Sequence, residues 1–170
     1  MPEAGKDREQ LSVAEFASEF QEEEEQKMAE KLTKETKQIM DERFGCDSLL
    51  ALATVEDGKP YVRTVNAYYE DGAFYIVTYA LSNKMRHIVK DPTVAVCGDW
   101  FTAQGVGENL GHVKAEENAE IMAKVRTVFA EWYDNGHTNE EDPNTCLLRV
   151  RLTEGVLYHH GTRYDIDFQE

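Results

Sequence analysis

The sequence predicts a mainly β chain: an antiparallel barrel, closed or nearly closed, with flanking helices. Short runs rich in Val, Tyr and Thr recur from Ser48 onward, Asp-Gly pairs at 57–58 and 71–72 separate the first three, and only two helical stretches interrupt the strands after Tyr79. Hairpin-joined strands favour antiparallel sheets, and a sheet of about six of them removes its edges by closing on itself. Parallel α/β winding is not expected.

From the N-terminus, residues 1–10 are polar, and Ser12-Val-Ala-Glu15 then has the form of a capping box, in which each side chain satisfies a free amide at a helix start. Val13, Phe16, Ala17 and Phe20 continue at helical spacing. Past the solvated run Glu22–Glu25, the residues Met28, Leu32, Ile39 and Met40 extend the pattern to a stop at Gly45. Strands are expected at 49–55, 61–69 and 73–79, joined by tight Asp-Gly hairpins. A short helix over 82–90 closes at Asp91-Pro92, and strands over 93–101 and 104–113 come next with a bend between them. Residues 115–133 read as a helix whose stripe Ile121, Val125, Val128, Phe129 and Trp132 faces a core. Two last strands, 146–152 and 156–160, are expected around Glu154-Gly155. The domain reading is a helical segment over 1–44 packed on a barrel domain over 45–170.

With 170 residues, the chain suits one domain. A net charge of −15 and a pI near 4.7 argue against nucleic acid and anionic membrane surfaces, which attract basic proteins. Three scattered cysteines, Cys46, Cys97 and Cys146, suggest neither a disulfide framework nor a zinc site, and a reduced, cytoplasmic protein is expected. No metal site is expected either. Residues 45–90 depart from the acidic trend, since Lys59, Arg63, Lys84, Arg86 and Lys90 match Asp47, Glu56, Asp57, Glu70 and Asp71 in number.

That neutral island holds the candidate site. In strands, Arg63 and Val65 share one face while Thr64 and Asn66 share the other, and Thr78 lies on the face of Phe74 and Ile76. Four residues later a helix opens at Ser82, with Lys84 in its first turn. Free amides and a partial positive charge at a helix start, two hydroxyls, an ammonium and a guanidinium suit a phosphate. The same spacing also fits an ordinary Ser82 N-cap, a solvated Lys84 and an Arg63 paired with a surface carboxylate.

Taken in sequence, Arg63-x-Val65, Phe74-Tyr-x-x-Thr78, Ser82-x-Lys84, Asp91-Pro-x-Val-Ala-Val96 and Trp100 resemble the pyridoxamine 5'-phosphate oxidase-like flavoproteins, especially their small general-stress-protein-like members. The resemblance covers about residues 45–113. It implies an FMN-binding split β-barrel of six strands and a homodimer with flavin at the subunit interface. It places phosphate-binding groups on Arg63, Thr78, Ser82 and Lys84, backbone of Thr64, Val65 and Asn66 along the flavin ring, Tyr79 beside the site, and Gln104 where a ring-contacting glutamine stands. Such a protein would be an FMN-dependent oxidoreductase acting on a small molecule, with no catalytic side chain identified.

The resemblance has departures. Gly105-Val-Gly-Glu-Asn-Leu-Gly111 replaces a segment rich in basic residues, and the C-terminal end lacks a Trp-Arg substrate clamp, which argues against oxidation of pyridoxamine phosphate. Gly105 and Gly107 read as a bulge. An alternative is a non-catalytic module that stores or senses haem or another flat cofactor, with His87, His112, His159 or His160 as ligand. His159 and His160, adjacent in a strand, face opposite ways and cannot chelate one ion without a bend.

Overall fold

In the computed structural model, residues 30–169 are described; the capping box expected at 12–15 and the helical spacing through Met28 lie outside them. The strands are β1 (Glu30–Lys31), β2 (Ser48–Glu56), β3 (Lys59–Glu70), β4 (Ala73–Tyr79), β5 (Thr93–Gly98), β6 (Phe101–His112), β7 (Thr145–His159) and β8 (Thr162–Asp167), and the helices α1 (Lys34–Phe44), α2 (Asn83–Lys90) and α3 (Ala119–Val128). Six strands run in the order β7-β4-β3-β2-β5-β6, and β6 pairs back onto β7 to close an antiparallel barrel. β8 extends the sheet from the far half of β7, and β1 adds to β8 in parallel.

Turn chemistry sets the register. Asp57-Gly58 and Asp71-Gly72 both have positive φ at each residue, the two-residue turn whose twist matches the flanking strands. The β5–β6 connection has the same form at Asp99 (φ 44°) and Trp100 (φ 59°), without a glycine. A tryptophan in the left-handed region is strained, and it displaces the expected bend from 102–103 to 99–100.

Three expectations need correction. The helical run does not pass continuously through Leu32: Glu30–Lys31 is strand, and α1 starts after Thr33, whose hydroxyl and that of Thr36 form a reciprocal capping box. The long helix over 115–133 is a 3-10 turn at 116–118, then α3, then irregular turns through Tyr133–His137, because Trp132 and Tyr133 bend back to bond Asp47 and Glu140. Finally, Glu154-Gly155 is no turn. β7 runs straight through it, and the last hairpin turns instead at His160-Gly161. A side chain at 155 would meet the Thr102 carbonyl and the Ala103 methyl at 2.9 Å, so glycine is there for close strand approach. The bulge expected near Gly105 is present as a register shift between Gln104 and Gly105, with Thr153 the extra residue opposite.

Alternation then builds two cores. Leu50, Leu52, Val65, Ala67, Tyr69, Phe74, Ile76, Val94, Val96, Phe101, Leu148 and Val150 fill the barrel. On the outer face of β4 and β7, Leu147 meets Met122, Val125 and Phe129 of α3, with Tyr75 and Val77 against them. α1 closes one end of the barrel through Ile39, Met40 and Phe44, the last packed on Phe74 and Phe101 at ring-centroid distances of 5.5 Å. At the other end, α2 buries Met85, His87 and Ile88, with Ile88 against Gly107.

Candidate functional site

The barrel is not evenly zipped. β3 pairs with β2 over nine positions, from Lys59 to Ala67, but with β4 only at Tyr68, Tyr69 and Glu70. β4 meanwhile stays paired with β7 along its whole length. So the sheet splits between β3 and β4, and among the described residues the β3 edge over 61–67 has no strand partner on that side. α2 begins just beyond β4, which puts Arg63, Thr78, Ser82 and Lys84 around the mouth of this split.

Three of the four are presented in an unusual state. Arg63 shares the inward face of β3 with Val65, and its Nη1 donates to the Leu52 carbonyl (3.0 Å) and to Thr54 Oγ1 (2.8 Å). Both hydrogens of one nitrogen are thereby anchored, while Nε and Nη2 have no acceptor among the described residues. That remaining edge is the fork that grips an oxyanion bidentately. No carboxylate pairs with Arg63 among the described residues, and burial lowers its pKa. Lys84, half-buried, also has no carboxylate partner among them. Its pKa is lowered first by burial and then by repulsion from Arg63, with the Cys146 thiol acting weakly the other way. Cys146 is the cross-strand partner of Thr78, so the ammonium and the Thr78 position share one neighbourhood.

Ser82 is the sharpest observation. It is the N-cap of α2 with extended backbone (φ −69°, ψ 157°), yet its side chain makes no capping bond. Its hydroxyl is buried with no hydrogen-bond partner. A buried hydroxyl without a partner costs about 1–3 kcal/mol, so it calls for a ligand. The first bond of the helix runs from Arg86 N to the Ser82 carbonyl, which leaves the amides of Asn83, Lys84 and Met85 at the same opening. The ordinary alternative is thus not what the chain adopts: the serine does not cap, the lysine is desolvated, and the arginine has no surface carboxylate. Two desolvated cations, an orphan hydroxyl and a helix mouth have the chemistry to accept an oxyanion.

The other expected residues lie around this cradle or away from it. Val65 is buried beneath β3 and Tyr79 is exposed at the end of β4. The Asn66 side chain is committed to Asp47, whose other oxygen accepts from Trp132 Nε1. Thr64 faces outward, and Gln104 lies on the outer face of β6, in a recess of about 680 Å³ with Ala51, Ala53, Val62, Ala95 and Cys97. The structure therefore brings together Arg63, Ser82 and Lys84, with Thr78 adjacent, and leaves Gln104 on the opposite face of the sheet. Sequence reasoning missed Thr54 and weighed His87 only as a candidate haem ligand. Their signal was there, a polar residue in the inward series Leu50, Leu52, Thr54 and a histidine on the apolar face of α2.

Three of the four candidate histidine ligands are engaged. His87 bonds through both ring nitrogens, His112 meets the Asp142 carbonyl and the Lys114 amide, and His159 Nδ1 meets Arg43. His160 is exposed at the last turn, in a recess with Trp100, Tyr158 and Arg43. Among the described residues no cluster of His, Cys, Asp and Glu fits a metal ion, and no helix is long and apolar enough to cross a membrane.

A closed six-stranded antiparallel barrel, split beside an oxyanion cradle, defines the class of fold. The chain belongs to the pyridoxamine 5'-phosphate oxidase family, whose sequence model matches residues 32–159. It is similar to general stress protein 26 of Bacillus subtilis (strain 168), 25% identical over 124 residues, covering 70% of this chain and 85% of that one. Among solved structures, an FAD-binding protein from Mesorhizobium loti superposes with a TM-score of 0.54 at 18% identity, over 65% of this chain and 85% of the other. A heme binding protein from Mycobacterium smegmatis also gives 0.54, at 16% identity, over 73% of this chain and 54% of its own. At these identities the two structures establish a shared fold.

Proposed function

We propose that this protein is an FMN-binding flavoprotein, an oxidoreductase for a small molecule, that holds the FMN phosphate with Arg63, Lys84, Ser82, Thr78 and the free amides of α2. The observation that carries the reading is the buried, partnerless Ser82 hydroxyl at the start of the helix that carries Lys84, whose charge Arg63 disfavours and which, like Arg63, lacks a carboxylate partner among the described residues. A phosphate monoester supplies acceptors for all of them at once, and its charge offsets the repulsion between Arg63 and Lys84. The open edge of β3 over 64–66 offers backbone donors and acceptors to the edge of a flat ring, and Tyr79 flanks the opening. When bound, FMN supplies the hydride or electron chemistry, which is why no side chain need do so. The chain's own residues bind, orient and shield.

The recess on the outer face, where Ala51, Ala53, Val62 and Gln104 are edged by Glu154, Arg163 and Asp165, supports a homodimer in which a second copy covers it. Gln104 then meets a ring from across the interface. In this reading residues 45–170 form the cofactor-binding unit, and the described part of residues 1–44, β1 and α1, packs on it. Three free thiols support a reducing, cytoplasmic setting. Haem is the weaker occupant, because His87, His112 and His159 already commit ring nitrogens to protein partners. The absorbance spectrum of the purified protein, before and after adding FMN, separates the readings: a broad blue absorption is expected, a Soret band favours haem, and a protein that stays colourless with FMN refutes the flavin reading.

A further inference from the structure

We propose that Thr54, His87 and Glu56 form a hydrogen-bond relay that aims Arg63 into the anion cradle, so that three residues that never touch the anion set its affinity. The inference rests on the oxyanion reading of the cradle. Thr54 is fully buried and His87 is 1% exposed, so neither can be satisfied by bulk water. Arg63 can only donate, and its Nη1 donates to Thr54 Oγ1 at 2.8 Å. Thr54 Oγ1 lies 2.9 Å from His87 Nδ1, and His87 Nε2 lies 3.2 Å from Glu56 Oε2. Glu56 stands at ion-pair distance from Nε2 and can only accept, so the relay puts the hydrogen on Nε2 and makes Nδ1 the acceptor of the Thr54 hydroxyl. Every donor then points the same way, from Arg63 through Thr54 and His87 to Glu56. Arg86 Nη2 lies 3.5 Å from the same Nε2, but it is closer to Glu56, at 3.2 Å, and so sits on the carboxylate rather than displacing it.

The relay also fixes the helix that carries the rest of the cradle. Glu56 receives Lys90 (2.9 Å) and Arg86 from α2 as well as His87, so the carboxylate at the end of β2 ties down the body and last turn of the helix whose first turn holds Ser82 and Lys84. Tyr61 covers the His87 ring at a centroid distance of 4.7 Å and closes the network from β3. Thr54, His87 and Glu56 are positioning residues: they hold the guanidinium with its Nε and Nη2 edge outward, so that less ordering is left for the ligand to impose.

The test compares FMN with riboflavin, which lacks the phosphate, on wild-type protein and on Thr54→Val and Thr54→Ser. Thr54→Val removes the acceptor and should weaken FMN binding about tenfold while leaving riboflavin unchanged, and Thr54→Ser should restore it. Nitrogen NMR of the wild-type protein should show His87 as the Nε2–H tautomer with Nδ1 bare, a readout that needs no ligand and no variant to fold. A preference for FMN over riboflavin that survives Thr54→Val, equal losses for both ligands, or an Nδ1–H tautomer overturns the relay alone. A wild type with no preference for FMN over riboflavin overturns the cofactor reading on which it rests.

Discussion

The two ends of the barrel are closed by helices of opposite character. At the α1 end the fit is apolar: Phe44, Phe74, Phe101 and Tyr69 interlock with each below 2% exposure, and Thr33 caps the helix with both bonds of its box in place. At the α2 end the hydroxyl of the cap residue Ser82 makes no bond, Arg63 disfavours the charge on Lys84, and a polar relay runs through the core. The α1 cap and its apolar packing obey the local rules, whereas the α2 cap breaks several. Rules broken in an otherwise consistent fold mark the place where stability has been given up for binding.

The largest effect expected on either side of that contrast is Phe44→Ala. Removing a fully buried ring from the α1 end should destabilise the protein by about 3–5 kcal/mol, read from denaturant midpoints at constant slope. Ligand affinity of the folded fraction should hardly move. At the α2 end, Arg63→Ala and Lys84→Ala should each weaken FMN binding about tenfold or more, since bonds to charged groups are worth about 1.5–3 kcal/mol. Lys84→Met should also raise the melting temperature of the ligand-free protein, because it removes a desolvated cation from beside Arg63. A lower melting temperature would contradict the picture of a strained cradle.

The helix caps sharpen the comparison further. Thr33→Ala should cost about 1 kcal/mol of stability, the usual loss for a cap that accepts a backbone amide. Ser82→Ala should cost the ligand-free protein nothing or stabilise it, since no bond is lost and an orphan polar group is removed. Calorimetry of the two variants with and without FMN separates the cases, because only Ser82→Ala should lose more stability in the presence of ligand. The smallest effect is pH-dependent. Burial and Arg63 disfavour the charged form of Lys84, so its folded pKa lies below the ordinary 10.5, and a bound anion favours the charged form and raises it again. FMN affinity is then fully present below the lowered Lys84 value and falls as pH rises through it, earlier than for an ordinary lysine. In Lys84→Arg that fall should vanish from the same range.

Much of this was legible in the chain itself. Asp57-Gly58 and Asp71-Gly72 announce their turns because positive φ at consecutive residues suits few others, and the strands they join are set by alternation. Arg63, Ser82 and Lys84 could be grouped because a strand and a helix start bracket one hairpin partner. The misreadings have physical causes. Asp99-Trp100 turns without a glycine, and Glu154-Gly155 looks like a turn while its glycine serves the packing of β7 on Ala103. The stripe that prolonged the expected helix past Val128 is real, but Phe129, Trp132 and Tyr133 reach the same core from irregular backbone. Gln104, which the resemblance gives as a ring-contacting residue, lies on the outer face of β6, and spacing along a chain does not say which face of a closed barrel a later strand will offer. Thr54 went unremarked, and His87 was weighed only as a haem ligand, because a buried polar pair declares itself only when its partner is seen.

The most direct measurement is the affinity of the wild-type protein and of Arg63→Ala for FMN and riboflavin, tracked by flavin fluorescence under the same buffer. The account predicts that wild type prefers FMN by at least about tenfold and that Arg63→Ala erases most of that preference. Equal affinity for the two flavins in the wild type would contradict it.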